Sequence, residues 1–147
     1  MKTIILYYSM HHGNTKKLAD AIAAANPDVE LVKASEAGSV DLSAYDLIGL
    51  ASGVYAGNLG KPLLKAMERL PEGKDVFLLV TSSMKLNSHL KEARKIIAAK
   101  GCKEVGMYRC IGYDTFGPFK LVGGVAKGHP DADDCAKAVE FYNSLIG

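Results

Sequence analysis

The residues best suited to chemistry in this sequence lie between Ser9 and Thr15, in the stretch YYSMHHGNTKK. The hydroxyls of Ser9 and Thr15 and the amide of Asn14 can donate hydrogen bonds to an anion, and Gly13 lets the backbone approach it closely. Because a helical pattern follows, the free amides of a helix N-terminus would add partial positive charge. The pattern predicts a binding site for one phosphate group. The alternative is a plain helix cap by Asn14 or Thr15.

Other catalytic and phosphate-binding signatures do not fit. The segment lacks G-x-x-x-x-G-K-[ST], and no G-x-G-x-x-G follows the first strand. Six residues lie between Cys102 and Arg109, whereas a phosphatase loop has five between its cysteine and arginine. Ser9 and Ser52 occupy the positions where a receiver domain would carry acidic residues. We predict no catalytic residues and no metal site.

Strands and helices alternate along the chain. We predict strands at residues 2–8, 29–33, 47–51, 76–81 and 104–113, and helices at 14–25, between Pro62 and Pro71, at 90–97 and from Pro130 to the end. The connection between the second and third strands has room for a single helical turn. This order is typical of one α/β domain over residues 1–147, with a doubly wound parallel sheet covered on both faces.

Composition limits the possible partners and compartment. The chain is 48% hydrophobic and carries a net charge of +2 without clustered basic residues, so we expect no nucleic-acid partner. No stretch approaches the roughly 18 apolar residues of a membrane span. The three cysteines have no metal-ligand spacing and favour reduced thiols, hence a cytoplasmic protein.

Ligands of such sheets bind at the carboxyl ends of the strands, where the strand order reverses. The loops at this edge are predicted at residues 9–14, 52–60, 82–88 and 112–128. All four are rich in small polar or aromatic residues. The binding site is therefore expected where these loops meet.

Two of these loops resemble those of the flavodoxin family: Y-S-M-H-H-G-N-T, which opens a helix, and S-G-V-Y-A-G-N after the third strand. The resemblance covers essentially the whole chain. It implies a five-stranded sheet with strand order 2-1-3-4-5, one bound FMN, and a role in carrying electrons between redox partner proteins. By position, the FMN phosphate would lie against Ser9, Met10, His11, His12, Gly13, Asn14 and Thr15. One flank of the flavin ring would lie against Ser52, Gly53, Val54, Tyr55, Ala56, Gly57 and Asn58, and its pyrimidine edge would lie near Thr81, Ser82, Ser83 and Met84.

Three departures from the family pattern leave details open. The first loop is one residue longer than T-x-T-G-N-T, so either Ser9 or the backbone of Met10 and His11 makes the first phosphate contact. The 82–88 loop has no aromatic residue to stack on the flavin. The missing ring would come from Tyr113, Phe116 or Phe119, unless these form a hydrophobic plug. Carriers of this family are typically acidic, whereas this chain is weakly basic.

Three functions remain compatible with the sequence. The first is an FMN-binding electron carrier, and the second is an FMN-dependent enzyme of the quinone reductase or porphyrinogen oxidase type. The third is an interaction module that has lost the flavin. The first loop argues against the third, and the lack of an acid–base pair for a substrate favours the carrier. His12 leaves the enzyme hypothesis open, because an imidazole beside the flavin would titrate near neutrality. The sequence does not indicate an oligomeric state.

Overall fold

The computed structural model describes residues 1–10, 13–112 and 128–147. In chain order, the elements of this part are β1 (Thr3–Tyr8), α1 (Asn14–Ala25), β2 (Val29–Lys33), β3 (Leu47–Tyr55), β4 (Asn58–Leu59), α2 (Lys61–Met67), β5 (Asp75–Ser82), α3 (Lys91–Ala99), β6 (Lys103–Ile111) and α4 (Ala132–Ile146). The predicted alternation of strands and helices is confirmed.

Five parallel strands form the sheet in the order β2-β1-β3-β5-β6. This is the predicted order 2-1-3-4-5 once the short β4 is set aside. The central strands are apolar on both sides because the two faces bury separate cores. On β1, Ile4 and Leu6 belong to the core under α2 and α3, while Ile5 belongs to the core under α1 and α4. No helix in the described ranges is long and apolar enough to cross a membrane.

The third strand is longer than predicted. It runs past Ala51 to Tyr55, and the chain then folds back as β4, with Val54 paired to Leu59 and Tyr55 paired to Asn58. The predicted 52–60 loop is therefore mostly a β-hairpin, stabilised by antiparallel backbone pairing. The short crossover after β2 contains two 3-10 segments, Ala34–Ser39 and Leu42–Ala44, where a single helical turn was predicted.

The last helix begins later than predicted. Pro130 lies outside it, and the N-cap is Asp131. The Asp131 carboxylate accepts from the backbone N–H of Asp134, and the Asp134 carboxylate accepts from the N–H of Asp131, which forms a reciprocal capping box. The same Asp134 carboxylate lies 2.6 Å from Nδ1 of His129. Two carboxylates and one histidine thus fix the start of α4.

We expect this cluster to make stability depend on pH. The hydrogen bond to Asp134 raises the pKa of His129 above its ordinary value of 6.5. Stability from this contact is therefore fully present below pH 6.5 and is lost as pH rises through the raised pKa. In wild type, the free energy of unfolding should fall between about pH 6 and pH 8 as this contact is lost. The His129→Gln variant should lack that contribution to the fall.

Urea unfolding of both proteins at several pH values measures this difference. His89 titrates in the opposite sense, since burial and then the nearby Arg109 lower its pKa. His89 is present in both proteins, so its contribution cancels in the comparison. Parallel pH profiles for wild type and His129→Gln would contradict the assignment.

Candidate functional site

The carboxyl ends of β1, β3 and β5 bring three of the predicted loops together. Tyr8 at the end of β1 pairs with Ser52 on β3, and Gly53 on β3 pairs with Thr81 on β5. The segments that follow these residues therefore emerge side by side. The site predicted from sequence corresponds to one continuous edge of the sheet.

The start of α1 is built differently from the start of α4. Its N-cap is Gly13, which adopts the left-handed conformation with φ 63° and offers no side chain for capping. Capping by Asn14 or Thr15 is therefore wrong, because both residues already lie inside the helix. The first turn of α1 carries no acidic residue, whereas α4 has Asp133 and Asp134 there. An anion at α1 would supply the negative charge that this helix end lacks.

The space in front of Gly13 is open as far as the described residues are concerned. No described atom lies within 4 Å of the point where a Cβ on Gly13 would stand. The neighbouring Ser9 hydroxyl accepts a hydrogen bond from the backbone N–H of Lys16 at 3.3 Å, which places it over the first turn of the helix. An open glycine, a hydroxyl and a helix start form a donor set that suits a phosphate group.

Thr15 and Asn14 connect the first loop to the neighbouring strands. The buried Thr15 hydroxyl lies 2.8 Å from the Thr81 hydroxyl, and either oxygen can be the donor. When Thr81 donates, the Thr15 proton remains available to a ligand. Asn14 is also buried and packs against Gly112, where a Cβ would lie 2.7 Å from the Asn14 Nδ2 atom. A side chain at Gly112 would displace Asn14.

Tyr55 joins the first loop to the β3–β4 hairpin. Its hydroxyl accepts a hydrogen bond from the backbone N–H of Met10 at 2.8 Å. Its ring meets the Tyr8 ring edge to face, with centroids 5.4 Å apart. The ring also lies over Gly53, where a Cβ would stand 2.9 Å from the Tyr55 hydroxyl. Tyr55, which is predicted to flank the flavin ring, is thus half-buried and held by the backbone of the first loop.

The turn of this hairpin consists of Ala56 and Gly57, both with positive φ, at 52° and 82°. Two-residue hairpin turns of this kind match the twist of the flanking strands and favour glycine or asparagine. Alanine in this conformation is strained, and such strain is found most often at functional sites. Both residues are exposed, so the peptide between them is accessible to a ligand at the edge.

Two predicted contact residues use their side chains to shape the loops. The Ser52 hydroxyl is fully buried, accepts from the N–H of Gly60 and donates to the carbonyl of Gly53. The Ser82 hydroxyl donates to the carbonyl of Met84. Ser52 and Ser82 therefore hold the backbone of the second and third loops in place. Ser83 is half-buried and Met84 is exposed beside them.

Sequence reasoning missed Arg109 as a residue of this site. Arg109 lies on β6 and donates to the Leu86 carbonyl at 2.8 Å, and its Nη2 atom is 2.7 Å from Nδ1 of His89. Because an arginine cannot accept, His89 must accept at Nδ1 and is not protonated there. Arg109 thereby anchors the 82–88 loop to the sheet. The contacts span 20 and 23 residues, so no local pattern signals them.

We expect Arg109→Gln to lower the free energy of unfolding by about 1–3 kcal/mol, since it removes charged hydrogen bonds from a partly buried group. Amide hydrogen exchange at residues 83–89 should become faster. The matched control is Arg94→Gln, which removes the same charge from a partly buried, bidentate ion pair with Glu104 and should change exchange at residues 83–89 less. Equal effects of the two changes on exchange in this loop would contradict the anchoring role.

Several predicted features lie outside the described residues or apart from the site. His11, His12 and the aromatic residues Tyr113, Phe116 and Phe119 are outside the described part of the chain. Near the site, Met10, Met84 and Leu86 are large apolar side chains with 49%, 57% and 45% exposure. The potential metal-ligand atoms of His129, Asp131 and Asp134 lie within 4.8 Å of one another. The two carboxylates already cap α4.

Comparisons with known proteins agree with this geometry. The family model described as a flavodoxin domain matches residues 4–113. An uncharacterized protein of Methanocaldococcus jannaschii is 37% identical, with 99% of each chain covered. A flavoprotein of Lactobacillus acidophilus, solved in complex with FMN, is 26% identical, with 74% of this chain and 92% of that chain covered and a TM-score of 0.55.

The fold is shared more widely. A Streptococcus pneumoniae flavodoxin superposes with a TM-score of 0.65 at 17% identity, over 99% of this chain and 98% of that chain. The matched family model covers most of the chain and includes β1, the β3–β4 hairpin and β5. The protein therefore belongs to the flavodoxin family, and this membership supports a flavin-binding redox role.

Proposed function

We propose that this protein binds one FMN at the carboxyl edge of its sheet and carries electrons between redox partner proteins. The observation that carries the proposal is the convergence of three loops through two hydrogen bonds, Thr15 to Thr81 and Met10 to Tyr55. These contacts hold a phosphate-type donor set beside an aromatic ring. The FMN-bound Lactobacillus flavoprotein and the family membership support the choice of flavin.

The residues fit the three chemical parts of FMN. The start of α1, with Gly13 and the hydroxyls of Ser9 and Thr15, suits the phosphate. Tyr55 offers an apolar ring with a polar end to one flank of the flavin. Thr81 to Met84 would border the pyrimidine side of the flavin. The bound flavin supplies the redox chemistry, and the protein supplies orientation and electrostatics.

The Ala56–Gly57 turn suits a ring whose hydrogen-bonding needs change with its redox state. The flavin N5 atom accepts in the oxidised form and donates when reduced. Gly57 tolerates a reoriented peptide, so the turn can present its carbonyl toward that atom. The hairpin would thereby stabilise partial reduction.

Exposed apolar residues at the same edge favour a carrier. Met10, Met84 and Leu86 lie on the first and third loops and are about half exposed. Flexible methionines suit transient contact with more than one partner. Electrons would leave toward a protein docked at this surface rather than toward a small molecule held in a closed pocket.

Stepwise anaerobic reduction of the FMN-loaded protein, followed by absorbance, tests the carrier role. Two separate one-electron stages are expected. A single two-electron stage, together with direct turnover of a quinone or a porphyrinogen, would replace the carrier with a flavin enzyme. Failure to retain flavin after desalting would exclude both the carrier and the flavin enzyme, and would favour an interaction module.

A further inference from the structure

A cavity of about 470 Å³ lies between α2 and the crossover segment 34–39, on the α2 side of the sheet. Its lining comprises Ala34, Ser35, Gly38, Lys61, Pro62, Lys65, Ala66 and Arg69. None of these belongs to the residues expected to contact FMN. The cavity is therefore separate from the candidate flavin site, and its volume is in the range of small-molecule pockets.

The cavity is lined by three cationic side chains and no acidic one. Lys61 and Lys65 are four residues apart on α2, so they project from the same face about 6 Å apart along the axis. Arg69 continues this row in the turn after the helix. Within the described residues, none of the three takes part in an ion pair, although Glu68 is adjacent in sequence to Arg69.

The Arg69 side chain is exposed, and its guanidinium lies against the crossover segment. A Cβ on Gly38 would lie 3.1 Å from both its Cζ and Nη2 atoms, so the planar group packs closely against the Gly38 backbone. A planar guanidinium presents its donors in a fork that matches a carboxylate or a phosphate. Beneath the cations, the buried Ala34 and Ala66 provide an apolar floor.

We propose that this cavity binds a small organic polyanion, whose carboxylate or phosphate groups pair with Lys61, Lys65 and Arg69. Three neighbouring cations without acidic partners repel one another, and a ligand with at least two negative groups removes this repulsion. The small apolar floor suits the carbon frame of such a ligand. A concave site on this scale favours a small molecule over the flat surface of an acidic protein.

Calorimetric titration of the FMN-loaded protein tests the proposal, because FMN already occupies the candidate phosphate loop. Citrate is the carboxylate probe and pyrophosphate the phosphate probe, with acetate at matched ionic strength as the single-charge control. We expect saturable 1:1 binding of citrate or pyrophosphate and none of acetate. The probe that binds tighter identifies the preferred anion.

The variant Lys65→Gln/Arg69→Gln should weaken that binding about 10-fold or more, allowing for solvent screening. Lys91→Gln/Lys95→Gln on α3 removes the same charge elsewhere and should leave the affinity unchanged. If loss of Arg69 reduces stability in urea, Lys61→Gln/Lys65→Gln replaces that variant and keeps the guanidinium. Equal weakening by the α3 control would overturn the proposal, because it would indicate attraction by net charge alone.

Two further outcomes also overturn it. Absence of saturable binding of either probe removes the site. Binding of poly-glutamate alone, sensitive to Lys65→Gln/Arg69→Gln, would instead identify a docking surface for an acidic protein. If the protein retains no FMN, the citrate titration is repeated with Asn14→Ala/Thr15→Ala, which lacks the candidate phosphate donors. The two failures are then distinguishable.

Discussion

Replacing Asn14 and Thr15 together by alanine is expected to weaken FMN binding about 100-fold or more. Hydrogen bonds to a charged group contribute about 1.5–3 kcal/mol each, and the double variant removes two donors. Both side chains are buried at the start of α1, and Thr15 also holds the first loop to Thr81. Fluorescence titration of apoprotein with FMN measures the change.

Riboflavin provides the control for this prediction, because it lacks the phosphate. Its affinity should change little in the double variant if the two residues act on the phosphate. Thr15→Ser keeps the hydroxyl and should retain most of the FMN affinity. An unchanged FMN affinity in a folded double variant would show that the phosphate does not lie at the start of α1.

Tyr55→Ala should shift the flavin absorbance and reduction potential and weaken FMN binding about 5- to 150-fold. Stacking of an aromatic side chain on a nucleobase contributes about 1–3 kcal/mol, and a flavin presents a similar face. The change also removes the edge-to-face contact with Tyr8 and the hydroxyl that accepts from Met10. Spectroelectrochemical titration of the loaded protein measures the potential.

Tyr55→Phe separates the ring from the hydroxyl. It keeps the stacking surface but releases the Met10 N–H, whose partner in the structure is the Tyr55 hydroxyl. We expect Tyr55→Phe to retain the absorbance of the wild-type complex. A spectrum unchanged in Tyr55→Ala would instead transfer the stacking role to Tyr113, Phe116 or Phe119.

Periodic patterns predicted the regular elements well. The bounds of α1 and β2 match those predicted, because Leu18 and Ile22 repeat at helical spacing and a turn at Pro27 separates the two elements. The hairpin after β3 was not predicted. Gly53, Ala56 and Gly57 are typical of a loop, and the tertiary pairing of Val54 with Leu59 determines the strand instead.

The candidate site could be located from sequence but its internal contacts could not. Three of the four predicted segments follow strands at this edge because parallel strands end together there, although residues 52–60 are mostly a hairpin. The fourth, 112–128, lies almost entirely outside the described residues. The contact of Thr15 with Thr81 joins residues 66 apart, and that of Met10 with Tyr55 joins residues 45 apart. Such pairs depend on strand register, which local patterns do not specify. The same holds for the anchoring of the 82–88 loop by Arg109.

The central claim is that one FMN binds at the edge formed by the three loops. The direct test is to add excess FMN to purified apoprotein, desalt it and measure the flavin absorbance per chain. We predict that the protein remains yellow, with one FMN per chain, and that the Asn14→Ala/Thr15→Ala variant loses it. A colourless wild-type protein would contradict the account.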